Sequence, residues 1–207
     1  MELAHELKQP RLWLGCLAQG EQLLATGLSA QEQRWAQALS PRRQKEYSCT
    51  RALVRQQLGR WFHCRPLEVP LQAPPSAYPH LADGLGTVSW SHSRGFLLLG
   101  WRVGPVGVDL ESGDRCLQVR ALLPRLCTPE ECEAWRQWPE PQVQQQLLQR
   151  WVQLEAFVKR QRSTLSAELG RWPGHGANES VALQVPMAGQ RWWVGWSGGA
   201  IPVVETD

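Results

Sequence analysis

Three short stretches of this sequence gather side chains able to do chemistry. Val106-Gly107-Val108-Asp109-Leu110-Glu111 reads as an apolar strand carrying acids at i and i+2. Strand alternation sends Asp109 and Glu111 to one face while Val108 and Leu110 enter a core, so two carboxylates converge with no cation adjacent in sequence. Paired oxygens of this kind suit a hard divalent cation, and a solvated strand end is the plainer reading. Further on, a helix with the apolar stripe Leu147, Leu148, Trp151, Leu154, Val158 carries Glu155 beside that stripe, one turn after Trp151 and one before Lys159. A carboxylate next to a core-facing stripe is costly unless it is paired or metal-bound. Lys159 at i+4 is the simple helix partner. In the other reading Glu155 faces the Asp109/Glu111 strand end and completes a three-carboxylate cage for Mg²⁺, leaving Lys159 to meet a phosphate. Upstream, Ser91-His92-Ser93 is expected in a turn between two strands, where two hydroxyls and an imidazole can donate to an anion.

The elements that must position these groups follow from capping and periodicity. Residues 11–17 alternate around Trp13 and predict a first strand. Ser29 with Glu32 three positions on predicts a capped helix to about Leu39. Ser40-Pro41 starts a second helix, ending near Gly59 and carrying Arg42, Arg51 and Arg55. A proline-rich loop spans 66–86, with one short strand possible near 67–71. Short strands at 87–90 and 96–103 flank the Ser-His-Ser turn, and a break near Gly104 separates residues 1–103 from 104–207. The second half predicts a short helix near 117–123, a helix opened by Thr128-Pro129-Glu130-Glu131 and a long helix over 141–162. Strands at 181–185 and 191–196 follow. Leu99-Gly100-Trp101 and Val194-Gly195-Trp196 echo one another, each ending a strand, which hints at two related halves.

Composition narrows the function classes. The 207 residues are 43% apolar and 20% charged with a net charge of +3, which excludes a disordered polymer and suits a folded chain. The longest apolar stretch, Phe96 to Trp101, is far short of the roughly 20 residues needed to cross a bilayer. The opening MELAHELKQP has neither a basic start nor an apolar run, so a cytoplasmic chain with reduced thiols is expected. The six cysteines contain no CxxC spacing, which argues against a zinc site or a disulfide framework. Residues 1–103 carry 12 Lys/Arg against 7 Asp/Glu, whereas 104–207 carry 10 against 12. Within Arg34 to Arg65 eight cations face the single acid Glu46, a segment expected to attract anions. No nucleic-acid module accompanies it, and aromatic interleaving is limited to Trp35, Tyr47 and Trp61. Trp135, Trp138, Trp172, Trp192 and Trp193 are assigned to packing, and His175, in a Gly-rich loop, to an exposed position.

The ordered set of motifs resembles the 4'-phosphopantetheinyl transferase superfamily, in its longer, two-lobed monomeric type. The matching pieces are Pro41-Arg42-Arg43 with Arg51-Ala52-Leu53-Val54-Arg55, then Ser89-Trp90-Ser91-His92-Ser93, then Val106 to Glu111. Leu126-Cys127-Thr128-Pro129-Glu130-Glu131 and Arg150-Trp151-Val152-Gln153-Leu154-Glu155-Ala156-Phe157-Val158-Lys159 complete the set. The resemblance implies an α/β (α+β) fold of two pseudo-symmetric lobes, each a small, mostly antiparallel sheet packed with a long helix. It also implies an enzyme of the holo-acyl-carrier-protein synthase type. Such an enzyme uses Mg²⁺ to move the 4'-phosphopantetheine arm of coenzyme A to a serine of an apo acyl, peptidyl or aryl carrier protein, releasing 3',5'-ADP. Fatty acid, polyketide or nonribosomal peptide synthesis is the implied setting, with neither nucleic acid nor membrane as partner. By resemblance Asp109, Glu111 and Glu155 are metal ligands, Lys159 a pyrophosphate contact, and Arg42, Arg51, Ser91 and His92 coenzyme A contacts. Glu131 or Glu155 takes the serine proton.

Two departures stand out. The family helix usually reads Trp-x2-Lys-Glu-Ala, and here Leu154 takes the lysine position. The Gly-Lys-Pro that often precedes the Ser-His-Ser turn is replaced by Ala77-Tyr78-Pro79. These leave open a second reading, a member that binds coenzyme A or a carrier without turnover.

Overall fold

The structure, a computed structural model, describes residues 9–169, 171–172 and 179–206; residues 1–8 and His175 lie outside them. It is an α+β protein with small, mostly antiparallel sheets. The chain groups into two compact units. The first runs to Ser89 and adds Gly95–Gly104 and the C-terminal stretch from Pro202, and the second is Trp90–Arg94 with Pro105–Ile201. This grouping differs from a simple division at 103/104 in residues 90–94, in Gly104 and in the stretch from Pro202.

In the first unit β1 (Arg11–Cys16) pairs antiparallel with β5 (Phe96–Arg102), Trp13 opposite Leu99, and parallel with β9 (Val203–Thr206), Trp13 opposite Glu205. With β4 (Thr87–Ser93) the order is β4-β5-β1-β9. Helix α1 (Ala30–Gln37) opens with the expected capping box: the Ser29 hydroxyl accepts from the Glu32 N–H, and the Glu32 carboxylate accepts from the Ser29 N–H. Helix α2 (Pro41–Phe62) runs a turn beyond Gly59, because Trp61 and Phe62 continue its buried face. Gly59 instead admits the returning chain, since a Cβ there would lie 2.8 Å from the Cys64 carbonyl oxygen.

Arg51 and Arg55 do not ride on an exposed basic face. Both are buried. The loop beyond α2 forms only a single turn of 3-10 helix (Pro66–Glu68) and a minimal ladder of β2 (Leu71–Gln72) with β3 (His80–Leu81), so its carbonyls need donors from elsewhere. Arg55 donates to the carbonyls of Pro66, Val69 and Leu71 and pairs with Glu32 at 2.7 Å. Arg51 donates to the Ala73 carbonyl through Nε and Nη2, and the Tyr47 hydroxyl donates to the same oxygen. Arg42 stays exposed near the start of α2.

The second unit holds a sheet of order β6-β8-β7, from β6 (Gly107–Ser112), β7 (Val181–Met187) and β8 (Gln190–Ser197). Its helices are α3 (Val119–Leu126), α4 (Pro129–Trp135), α5 (Glu140–Gln161) and α6 (Leu165–Leu169). Leu147, Leu148, Leu154 and Phe157 of α5 join Leu126, Trp172 and Trp193 in its core. Trp135 stacks on Trp138. Two glycines bring α5 close to the sheet. A Cβ on Gly107 would lie 1.9 Å from the Ala156 carbonyl oxygen, and one on Gly195 the same distance from the Val152 carbonyl oxygen. The repeated Leu/Val-Gly-Trp lies in an inner strand of each unit, and α2 and α5 are both 22 residues long, ending in left-handed His63 and Arg162. No helix among the described residues is long and apolar enough to cross a membrane.

Candidate active site

The close approach of α5 to β6 sets the site. Asp109 and Glu111 leave β6 on one face, as alternation requires, and Asp109 is only 5% exposed. Ser91, His92 and Ser93 belong to β4 rather than to a turn. The turn is Arg94-Gly95, with φ of 46° and 82°, the two positive values of a tight primed hairpin turn. Alternation then puts Ser91 and Ser93 on one face and leaves His92 exposed on the other. The two serines meet the two acids with a constant offset: the Ser91 hydroxyl donates to Asp109 Oδ1 at 2.8 Å and the Ser93 hydroxyl to Glu111 Oε2 at 3.3 Å. The anions that these hydroxyls find are the chain's own carboxylates.

Lys159 does not close the simple helix pair with Glu155. Its ammonium donates to Asp109 Oδ1 at 2.8 Å and to the Val108 carbonyl at 3.0 Å. Asp109 Oδ2 is left buried with no hydrogen-bond partner. Burial, and next the charge of Asp109, raise the Glu155 carboxyl above its ordinary range, with Lys159 and Arg115 opposing. Glu111 pairs with Arg115, whose guanidinium also sits 5.3 Å over the Trp151 ring. Among the described residues no three His, Cys, Asp or Glu side chains gather closely enough to form a metal-binding group. Asp109 and Glu111 have each paired with a cation of the chain, Lys159 and Arg115.

These residues nonetheless fit a hard divalent cation. A buried carboxylate oxygen without a donor is costly, and burial and the charge of Asp109 both disfavour the charged form of the Glu155 carboxyl. A cation seated there relieves both, and oxygen donors are the ligands that Mg²⁺ takes.

The remaining sequence candidates fall elsewhere. Glu131 completes the Thr128 capping box of α4, its Oε2 accepting from the Thr128 N–H, while its Oε1 pairs with Arg150. Arg42 and Arg51 are residues of the first unit, and the Arg51 guanidinium is turned inward to Ala73. Leu154 is fully buried, so its side chain packs in the core rather than beside the acids. All six cysteines are free thiols, and burial pushes Cys127 up to about 12, so it acts as a packing group. One participant escaped sequence reasoning, Arg115, whose signal is its place four residues after Glu111; Ser93, expected as an anion donor, repeats the spacing of the acids, 91 and 93 against 109 and 111. A cavity of about 740 Å³ opens beside the site, lined by Arg115, Gln144, Leu148, Arg191 and Trp193 among others.

No curated protein matches the chain. A family model for the 4'-phosphopantetheinyl transferase superfamily matches residues 105–180, a stretch that holds β6 with its two acids, the capped helix α4 and the whole of α5. Over this segment the chain is similar to the 4'-phosphopantetheinyl transferase superfamily.

Proposed function

We propose that the protein transfers the 4'-phosphopantetheine arm of coenzyme A to a serine hydroxyl of an apo acyl, peptidyl or aryl carrier protein, with Mg²⁺ as cofactor and 3',5'-ADP as the leaving product. The observation that carries this reading is the buried Asp109 Oδ2 with no hydrogen-bond partner, in the segment that the family model matches. Asp109, Glu111 and Glu155 would hold the metal, which when bound neutralises charge on the pyrophosphate. Lys159, anchored beside Asp109, offers a cation to the same phosphates. Arg42, His92, Ser91 and Arg51 are the coenzyme A contacts implied by resemblance. Of these, Arg42 and His92 are exposed.

In the reaction the carrier serine oxygen forms a bond to the phosphorus that bears the pantetheine arm. The bond from that phosphorus to the bridging oxygen breaks, and the electron pair leaves with 3',5'-ADP. The serine proton needs an acceptor. Both oxygens of Glu131 are already engaged, by the cap and by Arg150, whereas Glu155 is biased toward binding a proton. Glu155 is therefore the proposed base.

The test is incubation of the purified chain with coenzyme A, Mg²⁺ and several apo carriers, followed by intact-mass measurement. Carriers heavier by one phosphopantetheine are expected, with activity abolished in Asp109→Ala, reduced at least about a hundredfold in Glu155→Gln and retained in Glu131→Gln. Full activity in Asp109→Ala would remove the metal assignment, and loss in Glu131→Gln with retention in Glu155→Gln would exchange the bases. Leu154 sits in the core, so leucine there is compatible with turnover. Coenzyme A binding with no carrier modified would select the non-catalytic reading.

A further inference from the structure

The three acids differ in how ready they are for a metal. Asp109 keeps Oδ2 buried without a hydrogen-bond partner while Lys159 and Ser91 hold Oδ1. Glu111 is latched: one oxygen pairs with Arg115 and the other accepts from Ser93. It cannot share a cation with Asp109 until the guanidinium lets go.

Arg115 is placed to do so. It follows a turn held at both ends, where the Gly113 N–H donates to the Arg191 carbonyl and Asp114 pairs with Arg94 and accepts from the Ser112 hydroxyl. Its guanidinium already has a second seat over the Trp151 ring, at 5.3 Å, where the ring face attracts a cation. It also lines the cavity of about 740 Å³, which gives the side chain room to withdraw. Its side chain is about a third exposed, and an ion pair so open to water is weakly held.

We propose that Arg115 is a positioning residue that stands in for the divalent cation at Glu111. It holds the carboxylate while no metal is bound, yields it to the metal, and keeps its seat on Trp151. The inference rests on the metal site proposed above. Arg115 thereby lowers the affinity for the free ion, because the ion must displace a cation already in place.

The test is Mn²⁺ binding to the purified full chain without coenzyme A, followed by electron paramagnetic resonance of free Mn²⁺. Arg115→Met is expected to bind Mn²⁺ about tenfold more tightly than the parent, the order expected when a positive charge a few ångströms from the ion is deleted. A merely structural arginine would give the opposite sign, since its loss loosens the site. Arg115→Gln reads out the same change if the methionine variant fails to fold. An affinity unchanged or weakened in these variants, while the parent binds and Asp109→Asn does not, overturns the role of Arg115 and leaves the metal site standing. A parent chain that binds no Mn²⁺ overturns both.

Discussion

The substitution Gly107→Ala probes the contact on which the site is built. Its Cβ would fall 1.9 Å from the Ala156 carbonyl oxygen, 2.5 Å from the Arg160 nitrogen and 3.0 Å from the Ala156 carbonyl carbon. All three are backbone atoms, so no side-chain rotation relieves the clash, and α5 must retreat from β6 by on the order of 1.5 Å to restore van der Waals separation. Overpacking of this kind costs about 3 kcal/mol, which for a chain of this length corresponds to a fall in Tm of roughly 6–12 °C. The retreat carries Glu155 and Lys159 away from Asp109, lengthening the 2.8 Å Lys159 contact, and a misplacement of this size costs about a hundredfold in rate. Thermal unfolding by circular dichroism and the carrier-modification assay read the two effects. Gly189→Ala is the control: it lies in the β7–β8 turn at φ 72° with nothing within 4 Å, so only a backbone cost of about 1–2 kcal/mol and unchanged transfer are expected. A Gly107→Ala protein with the parent Tm and full activity would show that the helix is not pressed against this strand.

Two further outcomes are expected. Because burial and Asp109 raise the Glu155 carboxyl, the folded chain holds more protons than the unfolded one between the ordinary Glu value of 4.5 and the raised value, and stability falls across that window as pH rises. Metal-free Glu155→Gln should therefore be more stable than the parent at pH 7 and lose that advantage in acid below the ordinary value. Urea unfolding at both pH values checks this, and equal stability at pH 7 counts against it. In the first unit, Arg55→Met strands the buried Glu32 carboxylate and three loop carbonyls, for an expected loss of about 3–5 kcal/mol, seen as a lower urea midpoint. An unchanged midpoint would mean that water reaches these groups.

Much of the site was legible in the sequence because it rests on local rules. Alternation placed Asp109 with Glu111, and helical spacing put Glu155 one turn from Lys159. The Thr128-Pro129-Glu130-Glu131 signature marked a helix start that the structure bears out. The motif order pointed to the superfamily whose model matches residues 105–180. The polar turn expected over residues 91–95 narrows to Arg94-Gly95, because Ser91 to Ser93 continue the strand.

What partners each charge lay beyond local rules. Arg51 and Arg55 have the sequence spacing of a solvated basic face, and only the return of a proline-rich loop over α2 turns them into buried donors. The last strand joins the first across nearly the whole chain, a pairing set by burial of a sheet edge and invisible to any short window. Lys159 had Glu155 beside it in sequence and found Asp109 in space, and Arg115 came to lie between Glu111 and Trp151. Electrostatic energy depends on distance through the fold and on the water left around each group. The sequence by itself therefore determined which ionisable groups lie on β6 and α5, and tertiary packing decided which of them neutralise one another and which oxygen is left without a hydrogen-bond partner.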